Sequence, residues 1–372
     1  MAIQTSHVGS LPRSQKVVDY IFAREKGEDY NEIEFDKVMT EAVNDTVRKQ
    51  KKAGITIVSD GETSKISYAT YVKDRYHGFA GDSPRNAPAD LKKFPNYLQK
   101  LANDGGTPKY ARPMCVSKLE PKKNDDLIKD IDNLKKALKG NDIKKGFMNA
   151  ASPGVISLFL QNDYYPSRED YLEALSNLMQ SEYEMIVKSG LDLQIDCPDL
   201  ALSRHMLFND MTDDEFVKVA SINIESLNNA LRNIPKDKIR IHICWGNYEG
   251  PHVCDISISK MFETLMNVKT GHILFEAANP RHAHEWEVFE EKKNLIPDDL
   301  ILMPGVIDTT TNFVEHQNLV VQRLKNFTNI VGNERVIGSS DCGFGTFAGF
   351  GTIDPDIAYE KLKVLAEGAA KV

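Results

Sequence analysis

Nowhere does the chain carry an apolar run approaching the roughly 20 residues that a membrane-spanning helix needs. Its start also lacks the short apolar core of a secretion signal. Both absences point to a protein of the cytoplasm. An excess of positive charge is missing as well: 46 Lys and Arg stand against 54 Asp and Glu, for a net charge of -8. That balance argues against a nucleic-acid partner or a polybasic membrane surface. Cysteine is scarce. The five in 372 residues, Cys115, Cys197, Cys244, Cys254 and Cys342, are odd in number and far apart, which excludes a disulfide framework. In a reducing compartment such thiols serve as ligands or as small buried hydrophobes. No repeat of solenoid period and no low-complexity tract occurs, so a repeat array is excluded too.

What is present is the composition of an ordinary globular enzyme, 41% hydrophobic and 27% charged. Short apolar runs alternate with longer amphipathic ones, the pattern of βα units repeated around a parallel sheet. Strands are expected at 5–9, 56–60, 146–150, 192–196, 240–244, 273–276, 301–306 and 336–340. Eight is the number that a closed (β/α)8 TIM barrel requires, and such α/β barrels exceed the usual length of one domain. We therefore expect one catalytic barrel over residues 1–372.

The helices between the strands have readable faces. Phe35, Val38, Met39, Ala42, Val43 and Val47 follow helical spacing to a stop at Gly54. Tyr171, Leu175, Leu178, Met179, Met185 and Ile186 repeat it up to Gly190. Thr212 with Glu215 has the pattern of a capping box opening a helix through Leu231. Phe313, Leu319, Val320 and Leu324 mark a later helix ending near Gly332. Residues 62–146, rich in Lys, Asp, Pro and Gly, break the rhythm. They are expected to form a long insertion after the second strand, with 112–116 extended and the charge runs solvated.

In a barrel the C-terminal strand ends converge on one face, and residues there carry function. His242 and Cys244 stand two apart at one such end, and i, i+2 side chains of a strand share a face. Glu276 ends the next strand and Cys342 follows the last. Imidazole, two thiols and a carboxylate at strand ends of one barrel make a complete candidate zinc shell. Two thiolates and a carboxylate would leave that shell net negative, a poor activator of water. It suits instead an incoming thiol held as thiolate, and hence alkyl transfer to sulfur. Cys115, Cys197 and Cys254 lack comparable partners and are expected to be structural.

At these residues the sequence resembles the cobalamin-independent methionine synthase family, and within it the short single-barrel members. The matching stretches are His7-Val8-Gly9-Ser10-Leu11-Pro12-Arg13, Asp60-Gly61-Glu62, Gln194-Ile195-Asp196-Cys197-Pro198-Asp199, His242-Ile243-Cys244, Glu276 and Asp341-Cys342-Gly343. The resemblance implies zinc on His242, Cys244, Glu276 and Cys342. It also implies homocysteine held by the turn at Val8 and Ser10 and by the acids Glu62 and Asp196. Two carboxylates are what an ammonium group of the substrate would need.

Two positions depart from the family's pattern. Phe159 stands near the place of a Trp that stacks on folate, and Thr310 replaces a His that acts as an acid, beside a retained Asp308. Threonine cannot deliver a proton near neutral pH as imidazole can. Asp308, Thr310, Phe159 and Asp341 are thus assigned to the donor side, with 5-methyltetrahydrofolate or another methyl donor as partner.

The short members also include epoxyalkane:coenzyme M transferase-like proteins, which Asn279-Pro280-Arg281-His282 and the 196–204 stretch resemble. Arg13, Arg204 and Arg281 are candidate anion contacts for such a substrate. The leading expectation is a zinc-dependent thiol S-methyltransferase making methionine from homocysteine, in a soluble enzyme whose size suits a homodimer. The alternatives are a coenzyme M-type thiol alkyltransferase and a zinc barrel that binds thiols without turnover.

Overall fold

The computed structural model describes residues 3–83, 87–103 and 110–372. Parts of the expected insertion, 84–86 and 104–109, lie outside the described residues. From the start come β1 (Gln4–Thr5), α1 (Gln15–Lys26), α2 (Glu32–Lys52), α3 (Val72–Arg75), β2 (Tyr76–Ala80), α4 (Ala89–Lys92) and α5 (Pro95–Asn103). Next are β3 (Met114–Pro121), α6 (Asp125–Gly140), β4 (Phe147–Ala151), α7 (Pro153–Phe159), α8 (Arg168–Lys188) and β5 (Asp192–Asp196). Then follow α9 (Ser203–Met206), α10 (Asp213–Ala230), β6 (Ile239–His242), α11 (Ile258–Leu265) and β7 (His272–Phe275). The chain closes with α12 (Trp286–Glu291), β8 (Ile301–Ile307), α13 (Gln317–Val331), β9 (Ile337–Ser340) and α14 (Pro355–Ala369). Among the described residues no helix is long and apolar enough to cross a membrane.

Seven strands form one sheet in the order β1-β9-β8-β7-β6-β5-β4, and every pairing in it is parallel. Parallel neighbours need long crossovers, which the helices supply. The sheet's two edges meet through residues 56–58. The amides of Thr56 and Ile57 donate to the Thr5 carbonyl at 3.2 and 3.0 Å, and the Phe147 amide donates to the Val58 carbonyl at 2.9 Å. The sheet therefore curls upon itself in a TIM-barrel-like α/β fold.

Two expected strands are shorter than their apolar runs. Around the second, only Val58 bridges to Gly146; the Ser59 amide leaves the ladder for Gln50 Oε1 at 3.0 Å. The first stops at Thr5, because Gly9 bends at φ +147°, with the Asn149 side chain packed where a Cβ would lie.

The helix stops at Gly54 and Gly190 and the Thr212–Glu215 capping box are all present. Phe313 is a correction. It is 83% exposed and lies ahead of α13, so its helical spacing from Leu319 is accidental.

Inside the curled sheet Val8, Ile57, Phe147, Leu274, Met303 and Ile337 make a small apolar plug. It closes the bottom and leaves the strand ends open above. Of residues 62–146, α6 buries Leu127, Ile131, Leu134 and Leu138 and packs on α2, so it belongs to the βα repeat. The antiparallel hairpin β2–β3 and the short helices α4 and α5 stand outside the repeat; of the expected 112–116 segment, residues from Met114 on form the start of β3, and Arg112 and Pro113 precede it.

The hairpin is bolted on by charge. Arg75 donates to Asp130 on α6 at 2.6 Å and to Glu182 on α8 at 2.8 Å, and the hydroxyls of Tyr71 and Tyr76 donate to Glu182 at 2.6 and 3.1 Å. Removing one partner of a buried ion pair strands the others in a medium that disfavours charge. Arg75→Met is accordingly expected to cost about 3–5 kcal/mol in urea unfolding. A loss below about 1 kcal/mol would place this cluster among exposed, weak pairs.

Candidate metal centre and thiol pocket

Strand β6 points Arg240 and His242 into the interior, and Cys244 follows two residues on, just past the strand. Asp196, at the end of β5, accepts from His242 Nδ1 at 3.0 Å. That bond leaves Nε2 as the free lone pair, and Nε2 is buried with no hydrogen-bond partner among the described residues. Burial opposes protonation of His242, but the Asp196 carboxylate holds its pKa above the ordinary value. Cys342 comes in from β9, where Ser340 Oγ donates to its carbonyl at 2.7 Å and accepts from the Val8 amide at 3.2 Å.

The thiols of Cys244 and Cys342 lie 3.8 Å apart. One ligand atom from each of His242, Cys244 and Cys342 falls within 4.8 Å of the others, and all three residues are buried. Contact with Cys342, then burial, pushes the Cys244 thiol well up. Two buried thiols and an orphaned imidazole nitrogen fit a soft dication. The carboxylate behind the imidazole is the usual second partner of a metal-bound histidine.

The structure brings three of the four expected ligands together. Glu276 lies just beyond β7 and outside the cluster: its Oε1 accepts from the Trp245 amide at 2.9 Å and its Oε2 from Asn279 Nδ2 at 2.7 Å. Asp341 takes the next loop in hand. It accepts from the amides of Ala277, Ala278 and Asn279 at 2.8, 2.9 and 2.8 Å, against the lining where Gly305 leaves no room for a Cβ. Burial and the charge of Glu276 push its pKa up to about 8, and these amides pull the other way. Its part is to shape the loop that carries Glu276.

Above the cluster opens a cavity of about 900 Å³. Val8, Ser10, Glu62, Asp196, His242, Cys244 and Cys342 all line it. Glu62 holds a left-handed backbone, φ +53°, which non-glycine residues seldom adopt and which concentrates at functional sites. Arg13 pins that turn by donating to the carbonyls of Glu62 and Gly345 at 2.6 Å, of Lys65 at 3.2 Å and of Thr63 at 3.3 Å. Burial pushes the Glu62 carboxyl up to about 7, with Lys65 opposing. Gly343 passes so close to Ser10 Oγ that a Cβ there would sit 2.0 Å from it. His7, by contrast, faces Gln50 at 2.7 Å and burial lowers it to about 4, a neutral packing residue.

On the donor side only Phe159 reaches the cavity wall, edge-on to Tyr68 at 5.8 Å. Asp308 and Thr310 do not line it. Both Asp308 oxygens are taken by the amides and hydroxyls of Thr310 and Thr311, so this pair closes a turn.

Arg204 reaches Asp213 and the Phe208 carbonyl, and Arg281 is exposed; like Arg13, neither lines the cavity. The arginine in the wall is Arg112, over the Phe159 ring at 5.2 Å. Nothing in its charge-rich stretch singled it out. Asn149 was also missed, although an amide in the apolar run Phe147-Met148-Asn149-Ala150-Ala151 was a readable signal. Leu91, Leu98 and Leu101 on α4 and α5 roof the cavity. Asp90, accepting from the Tyr248 hydroxyl at 2.5 Å, ties that roof to the loop after Cys244.

No family model matches the chain. A methionine synthase of Thermococcus kodakarensis is 26% identical over 368 residues, spanning 98% of this chain and 92% of that protein. The chain is thus similar over nearly its whole length to archaeal proteins named methionine synthase. A 2-hydroxypropyl-CoM lyase of Xanthobacter autotrophicus is 24% identical over 401 residues, spanning 99% and 94%. A solved B12-independent methionine synthase from a Shewanella species, in complex with selenomethionine, matches with a TM-score of 0.71 at 20% identity. The match covers 99% of this chain and 97% of that one, and it speaks for the fold.

Cys342→Ala leaves one thiol and one imidazole in the cluster. Metal analysis of the purified variant is expected to find zinc lost while the circular dichroism spectrum is kept. Stoichiometric zinc in a folded variant would remove Cys342 from the centre.

Proposed function

We propose that this protein is a zinc-dependent thiol S-methyltransferase that converts homocysteine to methionine. The observation that carries the reading is the orphaned His242 Nε2 beside the paired thiols of Cys244 and Cys342, at the base of a cavity that two carboxylates also line. Similarity to proteins named methionine synthase over nearly the whole chain supports it. Zinc would be held by His242, Cys244 and Cys342, with Glu276 as the fourth ligand on giving up one of its bonds to Trp245 or Asn279, and would supply the charge that keeps a substrate thiol ionised near neutral pH.

The chain's own residues do the rest. Asp196 fixes the histidine tautomer through Nδ1 and turns Nε2 toward the thiols. Glu62 and Asp196 receive the substrate ammonium, and the turn at Val8 and Ser10 receives its carboxylate. The cavity is far larger than homocysteine, and the donor takes the upper part between Tyr68, Phe159 and the leucine roof. Holding both reactants in one pocket supplies much of the rate by orientation. A sulfur–carbon bond forms as the carbon–carrier bond breaks; the carrier would keep that electron pair and take up a proton from solvent, while the thiol proton goes to solvent. The domain proposed is one catalytic barrel over 1–372, acting in the cytoplasm.

Similarity to 2-hydroxypropyl-CoM lyase favours a second reading, transfer of another alkyl group to a sulfonate thiol. Two buried carboxylates, Glu62 and Asp196, would repel a sulfonate and attract an amine, which favours homocysteine. A barrel that only binds thiols would consume no donor.

Incubating zinc-loaded protein with homocysteine and methyl-labelled 5-methyltetrahydrofolate is expected to give labelled methionine by mass spectrometry. Homocysteine binding without product would move the donor to another methyl carrier, and a thioether from coenzyme M and an epoxide would favour the second reading. Glu62→Gln is expected to raise KM for homocysteine about tenfold or more, with kcat little changed, from the loss of one charged hydrogen bond. An unchanged KM would take Glu62 out of the thiol pocket.

A further inference from the structure

Beneath Glu62 lies a cation that neither the zinc centre nor the donor wall uses. Lys65 is 4% exposed. Its Nζ donates to the Asn149 carbonyl at 2.7 Å, stands 4.2 Å from the Tyr71 ring centroid and lies 3.8 Å from Glu62 Oε2. That last distance is too long for a hydrogen bond, and Glu62 Oε2 is buried without one. Asn149 extends the contact, since its Nδ2 donates to Asp196 Oδ2 at 3.0 Å. Lys65 and the Asn149 residue it holds therefore reach both carboxylates of the thiol pocket.

A buried ammonium with one carbonyl partner is costly unless an opposite charge faces it. Here the facing charge is Glu62, whose left-handed turn aims it at the cavity. Arg13 and Asp60 also act on Glu62, with opposite signs. Two carboxylates and one lysine leave the pocket with one negative charge in excess. One ammonium group supplied by a ligand completes the balance, and two would overfill it.

We infer that Lys65 is a positioning residue that makes this pocket selective for a thiol carrying a single ammonium group. It does so by keeping Glu62 an aligned, ionised partner for that ammonium. The inference rests on the proposed homocysteine reading and deepens it. A lysine that merely filled space under the turn would affect every thiol alike.

The test compares homocysteine with 4-mercaptobutyrate, which has the same thiol and carboxylate but no amine, by titration calorimetry on zinc-loaded protein. Wild type is expected to bind homocysteine at least about tenfold more tightly, the worth of one charged hydrogen bond. Lys65→Gln can keep the bond to the Asn149 carbonyl while losing the charge, and Lys65→Met loses both. Either variant, if folded and zinc-replete, is expected to lose that preference through weaker homocysteine binding alone, and Lys65→Arg to retain most of it. Equal weakening of both thiols, or an intact preference in the neutral variants, would overturn the role given to Lys65 while leaving the homocysteine reading standing. A wild type that binds 4-mercaptobutyrate as well as homocysteine would overturn the substrate reading, and the inference with it.

Discussion

The hydrogen bond between Asp196 and His242 is the interaction on which the site turns. It spans adjacent parallel strands, β5 and β6, at the level where both stop. It decides the tautomer of an imidazole that has no other partner, and so decides which nitrogen faces Cys244 and Cys342. The same carboxylate accepts from Asn149 on β4 through its other oxygen. One side chain thus couples the cluster of His242, Cys244 and Cys342 to the neighbouring carboxylate wall of the cavity. Neighbouring strand ends can share a residue in this way because parallel strands present their C-terminal ends side by side.

The second constraint is negative charge in a dry place. Glu62, Asp196, Glu276 and Asp341 are all buried around one opening. Each is compensated differently: Asp341 by three backbone amides, Glu276 by the Trp245 amide and Asn279, Asp196 by an imidazole and an amide. Glu62 has only a lysine at a distance. Glu62, left with a free oxygen, lines the cavity together with Asp196. Full engagement by backbone amides sets Asp341 to shaping a loop. It also explains why Asp308, chelated by its own turn, takes no part in the wall.

The α/β architecture was legible because apolar runs and amphipathic stretches alternate with unmistakable period. The cluster of His242, Cys244 and Cys342 was legible because His242 and Cys244 share a strand face, while Cys342 follows another apolar run. Strand lengths were less legible. The first two expected strands run past the points where their backbones leave the ladder, the first fitting around Asn149 and the second bonding Gln50. Helical spacing likewise enrolled Phe313, which packs against nothing.

What the sequence determined by itself was the repeat, the convergence of strand ends and the donor types gathered there, since each follows from local periodicity and chemistry. Only the tertiary structure decided which acids face the cavity, that Glu276 is engaged by Trp245 and Asn279, and that Lys65 and Asn149 stand behind Glu62 and Asp196. Those outcomes depend largely on hydrogen bonds between residues tens of positions apart, such as Trp245 with Glu276 and Lys65 with Asn149, and no spacing rule along the chain reports which partner satisfies a buried charge.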